Sequence, residues 1–222
     1  RDESKAAFLP RFFKTGTGEY GEGDQFIGVV VPNLRIVAKK HFDADFDTFR
    51  ELLASPYHEY RLTALLALTY RYAKLKDHAS RETCVNFYVS QVDAINNWDL
   101  VDLSCYKILG HWLFDKDKQL LYDWAKENHL WKQRIAMISC THFVKQGEFK
   151  DALAIADLLQ HHPHDLIHKA VGWILREIGK EDEQLLIDYL TPRYKEMPRT
   201  MLRYAIERFE EGKRKTFLNS MI

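Results

Sequence analysis

Apolar side chains recur every three or four positions along most of the chain after residue 30, and no segment shows the period-two alternation of a strand. This recurrence gathers the apolar residues on one face of a helix. Helix-breaking residues such as Pro56, Gly147 and Pro198 separate the periodic segments. The pattern therefore predicts an all-α protein, with helices over residues 60–73, 98–113, 119–126, 131–145, 149–159, 166–178, 183–189 and 200–209.

One charged residue stands at the start of each of five apolar helical segments, and successive members are 32 to 41 residues apart. A period in this range is typical of a two-helix unit stacked on copies of itself, and the uneven spacing resembles HEAT-type repeats. We therefore expect a single HEAT-like α-solenoid domain over residues 1–222, built of stacked antiparallel helix pairs. The five charged positions would line its concave, basic groove, although each is also compatible with the solvated edge of its own helix. They are Arg61, Asp102, Arg134, Lys169 and Arg203.

Composition excludes several classes of protein. The 222 residues are 46% hydrophobic, which excludes wholesale disorder, and 32 basic residues balance 32 acidic ones. A polycationic tail is excluded by this balance, whereas a basic face with an acidic back is not. Three widely spaced cysteines without a CxxC motif favour a reducing cytoplasm. No apolar run approaches the ~20 residues of a membrane span, so no membrane association is expected.

Two short motifs suggest ligand sites that their context does not support. GTGEYG, from Gly16 to Gly21, matches the GxGxxG pattern, but no strand precedes it and the neighbouring acids would repel a pyrophosphate. His164 and His168 are four residues apart and could share a helix face, but no HExxH motif or nearby cysteine completes a zinc site. We interpret the first as an ordered loop and the second as a solvated loop or helix start, and expect no metal.

Three successive repeat units each carry a tryptophan with charged residues at helical spacing. Cations along one groove suit a phosphate backbone, and tryptophan rings suit stacking on an electron-poor base. A carboxylate among such cations stays ionised, which favours an electrostatic or acceptor role over that of a general acid. The alternative for each tryptophan is ordinary core packing. The groupings are Trp98 with Asp102, Trp131 with Arg134, and Lys169 with Trp173 and Arg176.

The segments NNWDLVD, LWKQRIA, HKAVGWILREIGK and MPRTMLRYAIE resemble the AlkD family of DNA alkylation repair glycosylases, with a similarity that covers about residues 8–215. The resemblance implies helical repeats wrapped around duplex DNA and removal of positively charged N3- and N7-alkylpurines. By motif, Asp102 resembles the catalytic carboxylate, while Trp98 and Trp173 resemble the aromatic pair beside the lesion. Arg134 resembles a cleft arginine that contacts the DNA backbone.

The remaining DNA contacts are predicted on the same stripe, and the sequence departs from the family at two polar positions. Some members carry Tyr where this chain has Phe12, and Gln where it has Val30. Alkylated double-stranded DNA is the expected partner of a monomer that needs no cofactor. The predicted DNA-binding residues are Arg134, Arg176, Lys169, Arg203, Arg61 and Trp131.

Three functions are compatible with the sequence. The first is a monofunctional glycosylase that depends on Asp102. The second is a non-catalytic HEAT-repeat binder of damaged or branched DNA, which does not depend on that carboxylate. The third is a protein-interaction solenoid, which is favoured by the net charge of zero and predicts no salt-dependent affinity for DNA.

Overall fold

The chain divides into two compact units, Arg1–Trp112 and Leu113–Ile222. The computed structural model describes residues 1–219, and in this range all of the named elements are helical. An isolated parallel bridge between Gln25 and Tyr57 is the single extended pairing recorded there. The all-α prediction is therefore confirmed over the described residues, while a single domain remains a prediction.

The first unit contains seven α-helices in its described residues, the last of which crosses the unit boundary, together with a 3-10 turn and a π-helical turn. Aspartate side chains cap three of the helices: the side chains of Asp2, Asp45 and Asp77 accept hydrogen bonds from the first-turn amides. The α-helices are α1 Glu3–Phe13, α2 Val31–Lys40, α3 Phe46–Leu53, α4 His58–Lys74, α5 His78–Ser90, α6 Trp98–Asp102 and α7 His111–Leu113, with the 3-10 turn at Val92–Ala94 and the π-helical turn at Tyr106–Gly110.

Helix α4 forms the centre of the first unit. It packs against α2 and α3, and the residues from Leu65 to Leu68 are almost fully buried. Burial of a leucine side chain stabilises the fold by about 1.5–3 kcal/mol relative to exposure. This apolar helix holds its N-terminal residues, which include His58, Glu59 and Arg61, in a fixed position.

The second unit is built around helix α12, which packs against α9, α13 and α14. Gly172 permits the close approach of α14, because a Cβ atom there would lie 2.5 Å from the carbonyl oxygen of Met201 and 2.5 Å from Cβ of Tyr204. The helices of this unit are α8 Gln119–Lys126, α9 Leu130–Ser139, α10 Thr141–Val144, α11 Lys150–Leu159, α12 Asp165–Glu181, α13 Glu183–Leu190, α14 Arg199–Ala205 and α15 Glu211–Leu218.

One predicted helix has the expected bounds, four others lie within three residues of theirs, and three are interrupted or end early. The segment 119–126 is helix α8 as predicted, whereas the segment 98–113 is divided after Asp102. The hydroxyl of Ser104 donates to the carbonyl oxygen of Leu100. The hydroxyl of Tyr88 lies 3.0 Å from the hydroxyl of Ser104. Such back-bonding by a serine competes with the helix ladder and bends the chain. The segment 131–145 is interrupted at Cys140 in the same way, and 200–209 ends as a helix at Ala205.

Candidate functional site

Helix α6 carries Trp98 at its first position and Asp102 at its last. The side chain of Asn97 precedes the helix and accepts a hydrogen bond from the amide of Trp98 at 2.9 Å. Residues four apart lie on one helix face, so both side chains project from the same side of α6. Both are half-buried. The predicted pairing of an aromatic ring with a carboxylate is therefore compatible with the local structure.

Two phenylalanines from the end of α1 hold the indole of Trp98. The ring of Phe13 stacks on it with 5.3 Å between centroids and 10° between planes, and Phe12 contacts it edge-on at 5.5 Å. Phe13 is buried, whereas Phe12 is 56% exposed. Aromatic contacts of this geometry contribute about 0.5–1.5 kcal/mol beyond area burial. The position at which some family members carry Tyr therefore lies directly beside Trp98.

A buried network of charges lies behind α6. Nε2 of His58 lies 2.9 Å from a carboxylate oxygen of Asp99, and Nδ1 lies 3.1 Å from Asp24. Arg61 completes the network through an ion pair of 2.6 Å with Asp24. Burial alone would raise the pKa of Asp24, but the hydrogen bonds from His58 and Arg61 outweigh it and lower that pKa. Asp24 is therefore an ionised carboxylate between two cations.

This network corrects the predicted surface position of Arg61. Its side chain is 8% exposed and pairs with Asp24, so its charge is used inside the first unit. A buried arginine without such a partner would be costly, and the ion pair with Asp24 offsets part of that cost. We assign Arg61 to the fold.

The carboxylate of Glu59 lies in a cradle of backbone amides. It accepts hydrogen bonds from Gly28 at 2.8 Å, from Ile27 at 3.1 Å and from Val29 at 3.3 Å. Gly28 adopts a positive φ of 81° that turns these amides toward the carboxylate. Val30 follows as the N-cap of α2 and is 40% exposed. The segment before α2 is thereby fixed to the start of α4.

The GTGEYG segment forms hydrogen-bonded turns, as predicted. Acidic side chains within and directly after the segment accept from its amides: Glu19 from Gly16 and Glu22 from Gly18, each at 2.8 Å. These carboxylates occupy the donors that a phosphate would need. The loop therefore orders the chain between α1 and α2 and does not form a phosphate cradle.

In the second unit, Trp131 and Arg134 lie on α9 and both are buried. Arg134 is 4% exposed, and its Nη1 donates to the carbonyl oxygen of Leu166 at the start of α12. The hydrogen bond ties α9 to α12 within this unit. Arg134 is thus held in one position rather than extended into solvent.

The other predicted residues of the second unit lie at its surface or are half-buried, and most have acidic partners. Nε1 of Trp173 donates to Glu177 at 3.2 Å, and Arg176 pairs with Glu177 and with Glu207. Lys169 pairs with Asp165 at 2.7 Å, and Arg203 is exposed on α14. Lys169, Trp173 and Arg176 share α12 at the spacing that the sequence predicted.

The His-rich segment behaves as a loop and helix start. His164 is the N-cap of α12 and accepts from the amide of Leu166, while His168 contacts the carbonyl oxygen of His162. Burial lowers the pKa of His164 and of His162. Within residues 1–219, no group of three or more His, Cys, Asp or Glu side chains is arranged to hold a metal ion. None of the helices in that range is long and apolar enough to span a membrane.

The comparison of sequences identifies one family. The sequence profile described as DNA alkylation repair enzyme matches residues 1–209. Among proteins whose function has been curated, no sequence matches this chain.

Solved structures show the same fold at low sequence identity. A predicted DNA alkylation repair enzyme from Enterococcus faecalis is 13% identical, with a TM-score of 0.72 over 95% of this chain and 97% of that one. AlkD2 from Streptococcus mutans is 16% identical, with a TM-score of 0.59 over 94% of this chain and 99% of that one. The protein smu.31 from Streptococcus mutans UA159 is 15% identical, with a TM-score of 0.57 over 82% and 92%. At these identities the likeness shows the fold, and it agrees with the predicted helical-repeat solenoid.

Proposed function

The chain belongs to the DNA alkylation repair enzyme family, and we propose that it is a DNA glycosylase for positively charged N3- and N7-alkylpurines in duplex DNA. The observation that carries the proposal is the placement of Trp98 and Asp102 on one face of the short helix α6. A carboxylate and an aromatic ring one turn apart are suited to a cationic base and to the sugar that bears it.

The reaction needs one carboxylate because the substrate is already cationic. When the bond between C1′ and the purine nitrogen breaks, its electron pair neutralises the positive purine, so the leaving base needs no proton. The sugar develops oxocarbenium character, which an ionised Asp102 stabilises through its negative charge. The same carboxylate orients a water molecule that adds to C1′, and the proton of that water passes to the carboxylate or to solvent. The products are the free base and an abasic site.

The aromatic residues act on the cationic base. A cation over the face of a tryptophan is attracted by about 0.5–2 kcal/mol, depending on desolvation. Trp98 is held for this role by Phe13, which stacks on it. We assign the corresponding role in the second unit to Trp173, whose ring is held by the hydrogen bond from Nε1 to Glu177. Neutral lesions lack this attraction and require protonation of the leaving base, so we expect them to be poor substrates.

The DNA backbone would be held by cations of the second unit, two of which carry acidic partners in this structure. The pair of Lys169 with Asp165 is surface-exposed, and Arg176 pairs partly with exposed Glu207. Exposed ion pairs contribute about 0–1 kcal/mol, so a phosphate can replace the carboxylate partner at little cost. We propose DNA contacts for Arg134, Lys169, Arg176 and Arg203. Trp131 is 7% exposed and belongs to the core of the second unit, so the predicted DNA contact of this residue is corrected to a packing role.

The proposed reaction requires no cofactor and no partner protein. Hydrolysis through one carboxylate and a water molecule needs neither a metal ion nor an organic cofactor. We propose that the protein works as a monomer in the cytoplasm.

The test is release of free base from a duplex that contains a single 7-methylguanine, measured by mass spectrometry beside an undamaged duplex. We expect release above the spontaneous rate, and Asp102→Asn should lower it by about 10²–10³-fold, as removal of an electrostatic stabiliser does. DNA affinity should be kept or increased, since the substitution removes a charge that repels phosphate. Asp93→Asn, which alters an exposed acid of the same region, is the matched control and should leave release unchanged.

Other outcomes favour other functions. Salt-dependent binding without any release by the unaltered protein would indicate a non-catalytic binder of damaged or branched DNA, with the missing polar groups at Phe12 and Val30 as the first explanation. Absence of salt-dependent binding would indicate a protein-interaction solenoid. Release that survives Asp102→Asn would contradict the mechanism itself.

A further inference from the structure

His58 links the candidate catalytic helix to two other parts of the first unit. It is the first residue of α4, and its side chain is 2% exposed. One ring nitrogen lies 2.9 Å from Asp99 on α6, and the other lies 3.1 Å from Asp24 in the loop after α1. Asp99 is the residue that directly follows Trp98. The imidazole thus connects three segments that are separated by 34 and 41 residues in the sequence.

Both contacts require a charged imidazole. A neutral imidazole carries one N–H, so it can donate to one carboxylate and presents a lone pair to the other. The imidazolium donates to both. Burial by itself would lower the pKa of His58, but the hydrogen bonds to Asp24 and Asp99 outweigh it and raise that pKa to about 9. At neutral pH the histidine is therefore a cation that is held by two anions.

The remaining charges near the ring are used elsewhere. On α4 itself, the charge of Arg61 is directed to Asp24 and that of Glu59 to backbone amides. From α1, Lys5 lines the same cavity as His58 and pairs with Asp2. This cavity has a volume of about 300 Å³, and Glu59 and Asp99 also line it.

Two phenyl rings extend the link to Trp98. Phe13 and Phe26 lie 4.6 Å and 5.0 Å from the imidazole centroid and 5.1 Å from each other, so the cation contacts two aromatic rings that favour a positive charge. Phe13 also stacks on the indole of Trp98. The charge of His58 is therefore coupled to the indole through the ring of Phe13 and to α6 through the hydrogen bond with the side chain of Asp99.

We propose that His58 is a positioning residue: the bridge from Asp24 through its imidazolium to Asp99 fixes α6, and with it the placement of Trp98 and Asp102. Loss of the proton removes one of the two hydrogen bonds and leaves a buried carboxylate against a lone pair. Helix α6 and the indole then lose their fixed orientation. The catalytic part of this inference rests on the proposed glycosylase function.

The kinetic test compares the unaltered protein with His58→Gln between pH 6.5 and 10, with release from the 7-methylguanine duplex corrected for the spontaneous rate. We expect kcat of the unaltered protein to fall as pH rises through about 9, with a smaller change in KM. His58→Gln should lower kcat about 10–100-fold at pH 7, as expected for a small misplacement of catalytic groups, and its profile should lack the fall near pH 9. His111→Gln is the control, since this exposed histidine of the same unit contacts Tyr72 and should keep the profile.

A merely structural role is distinguished by the folded fraction, measured by far-UV circular dichroism under the assay conditions. If His58→Gln lowers only that fraction, and the folded part keeps the normal kcat and the fall near pH 9, the inference is wrong.

A second arm does not depend on activity. The near-UV circular dichroism of Trp98, obtained as the difference from Trp98→Phe, should change with pH in step with the imidazole nitrogen resonances of His58 and should be altered at pH 7 in His58→Gln. A Trp98 signal that is independent of His58 would overturn the inference. If the unaltered protein releases no base, the proposed function fails, while this spectroscopic arm still decides whether His58 positions α6.

Discussion

The ring of Phe13 lies nearly parallel to the indole of Trp98, with 5.3 Å between the centroids. Phe13 ends α1 and Trp98 begins α6, so this contact joins the N-terminal helix to the helix that carries the candidate carboxylate. The same phenyl ring contacts His58 and Phe26. One buried side chain thus supports both the aromatic part and the charged part of the candidate site.

Phe13→Ala should destabilise the protein by about 3–5 kcal/mol, the usual cost of removing a buried phenylalanine. The substitution removes the stack on Trp98 and opens a cavity beside His58. Urea denaturation followed by far-UV circular dichroism measures the change. Phe8→Ala on the same helix is the control: Phe8 is 63% exposed, so its loss should change the free energy of unfolding by about 0.5 kcal/mol or less. Equal effects of the two substitutions would contradict the packing described for Phe13.

Local patterns predicted part of the candidate site, and distant contacts determined the rest. Trp98 and Asp102 could be paired from their spacing because four residues along a helix always return to the same face. The partners of His58 could not, because Asp24 and Asp99 come to it from 34 and 41 residues away. No periodicity within one helix contains that information.

The predicted charged stripe shows the same limit. A charged residue at the start of an apolar helix predicts a surface position, yet Arg61 and Arg134 are buried. Their burial depends on an ion pair with Asp24 and on the carbonyl oxygen of Leu166, and both partners come from other segments. The helices could be predicted because helix formation depends on neighbours in the sequence. The burial of these two arginines could not, because it depends on neighbours in space.

The raised pKa of His58 predicts a pH-dependent stability. The folded pKa of about 9 exceeds the ordinary value of 6.5. The folded state therefore binds the proton of His58 more tightly than the unfolded state does. The free energy that this proton contributes to stability is fully present below pH 6.5. The contribution is lost as pH rises from 6.5 through about 9. Urea denaturation at intervals between pH 6 and 10 should show a falling free energy of unfolding over this window.

His58→Gln should flatten that dependence, because glutamine does not titrate. The variant should be less stable than the unaltered protein at pH 6, and the two should approach one another at pH 10. Asp24 acts at the other end of the range: its lowered pKa contributes stability above its ordinary value of 3.8 that is lost as pH falls through the folded pKa. If the difference in unfolding free energy between the unaltered protein and His58→Gln is constant from pH 6 to 10, His58 does not titrate as described.

Gly28 and Gly18 form a matched pair that separates backbone strain from steric contact. Both have a positive φ, of 81° and 77°. A Cβ atom on Gly28 would lie 2.0 Å from the carbonyl oxygen of Asp2, whereas a Cβ on Gly18 would meet nothing within 4 Å. Gly18→Ala should cost about 1 kcal/mol of unfolding free energy, since strain alone opposes it.

Gly28→Ala should cost clearly more than Gly18→Ala in the same denaturation assay. The clash falls on backbone, which cannot move without disturbing the amides that hold Glu59. Similar values for the two variants would mean that the N-terminal segment yields to a methyl group and that the approach of Asp2 to Gly28 is not a firm contact.

Arg134 offers a test in which binding and folding are measured on the same variant. Its guanidinium donates to the carbonyl oxygen of Leu166, so Arg134→Ala should lower stability by about 1–3 kcal/mol through the lost bond and the unsatisfied acceptor. If this fixed guanidinium also holds a phosphate, as we propose, the slope of log affinity against log salt should fall by about one unit in the variant. Fluorescence anisotropy with a labelled duplex at several salt concentrations measures this slope on protein shown to be folded.

Arg193→Ala is the matched control for that experiment. Arg193 also lies in the second unit, pairs with Asp157 at 2.8 Å and is outside the predicted stripe. Its removal should leave the salt slope unchanged, because it contributes no proposed phosphate contact. If both variants keep the full slope while Arg134→Ala alone loses stability, Arg134 acts in the fold by joining α9 to α12. The proposed grip on the DNA backbone would then rest on Lys169, Arg176 and Arg203.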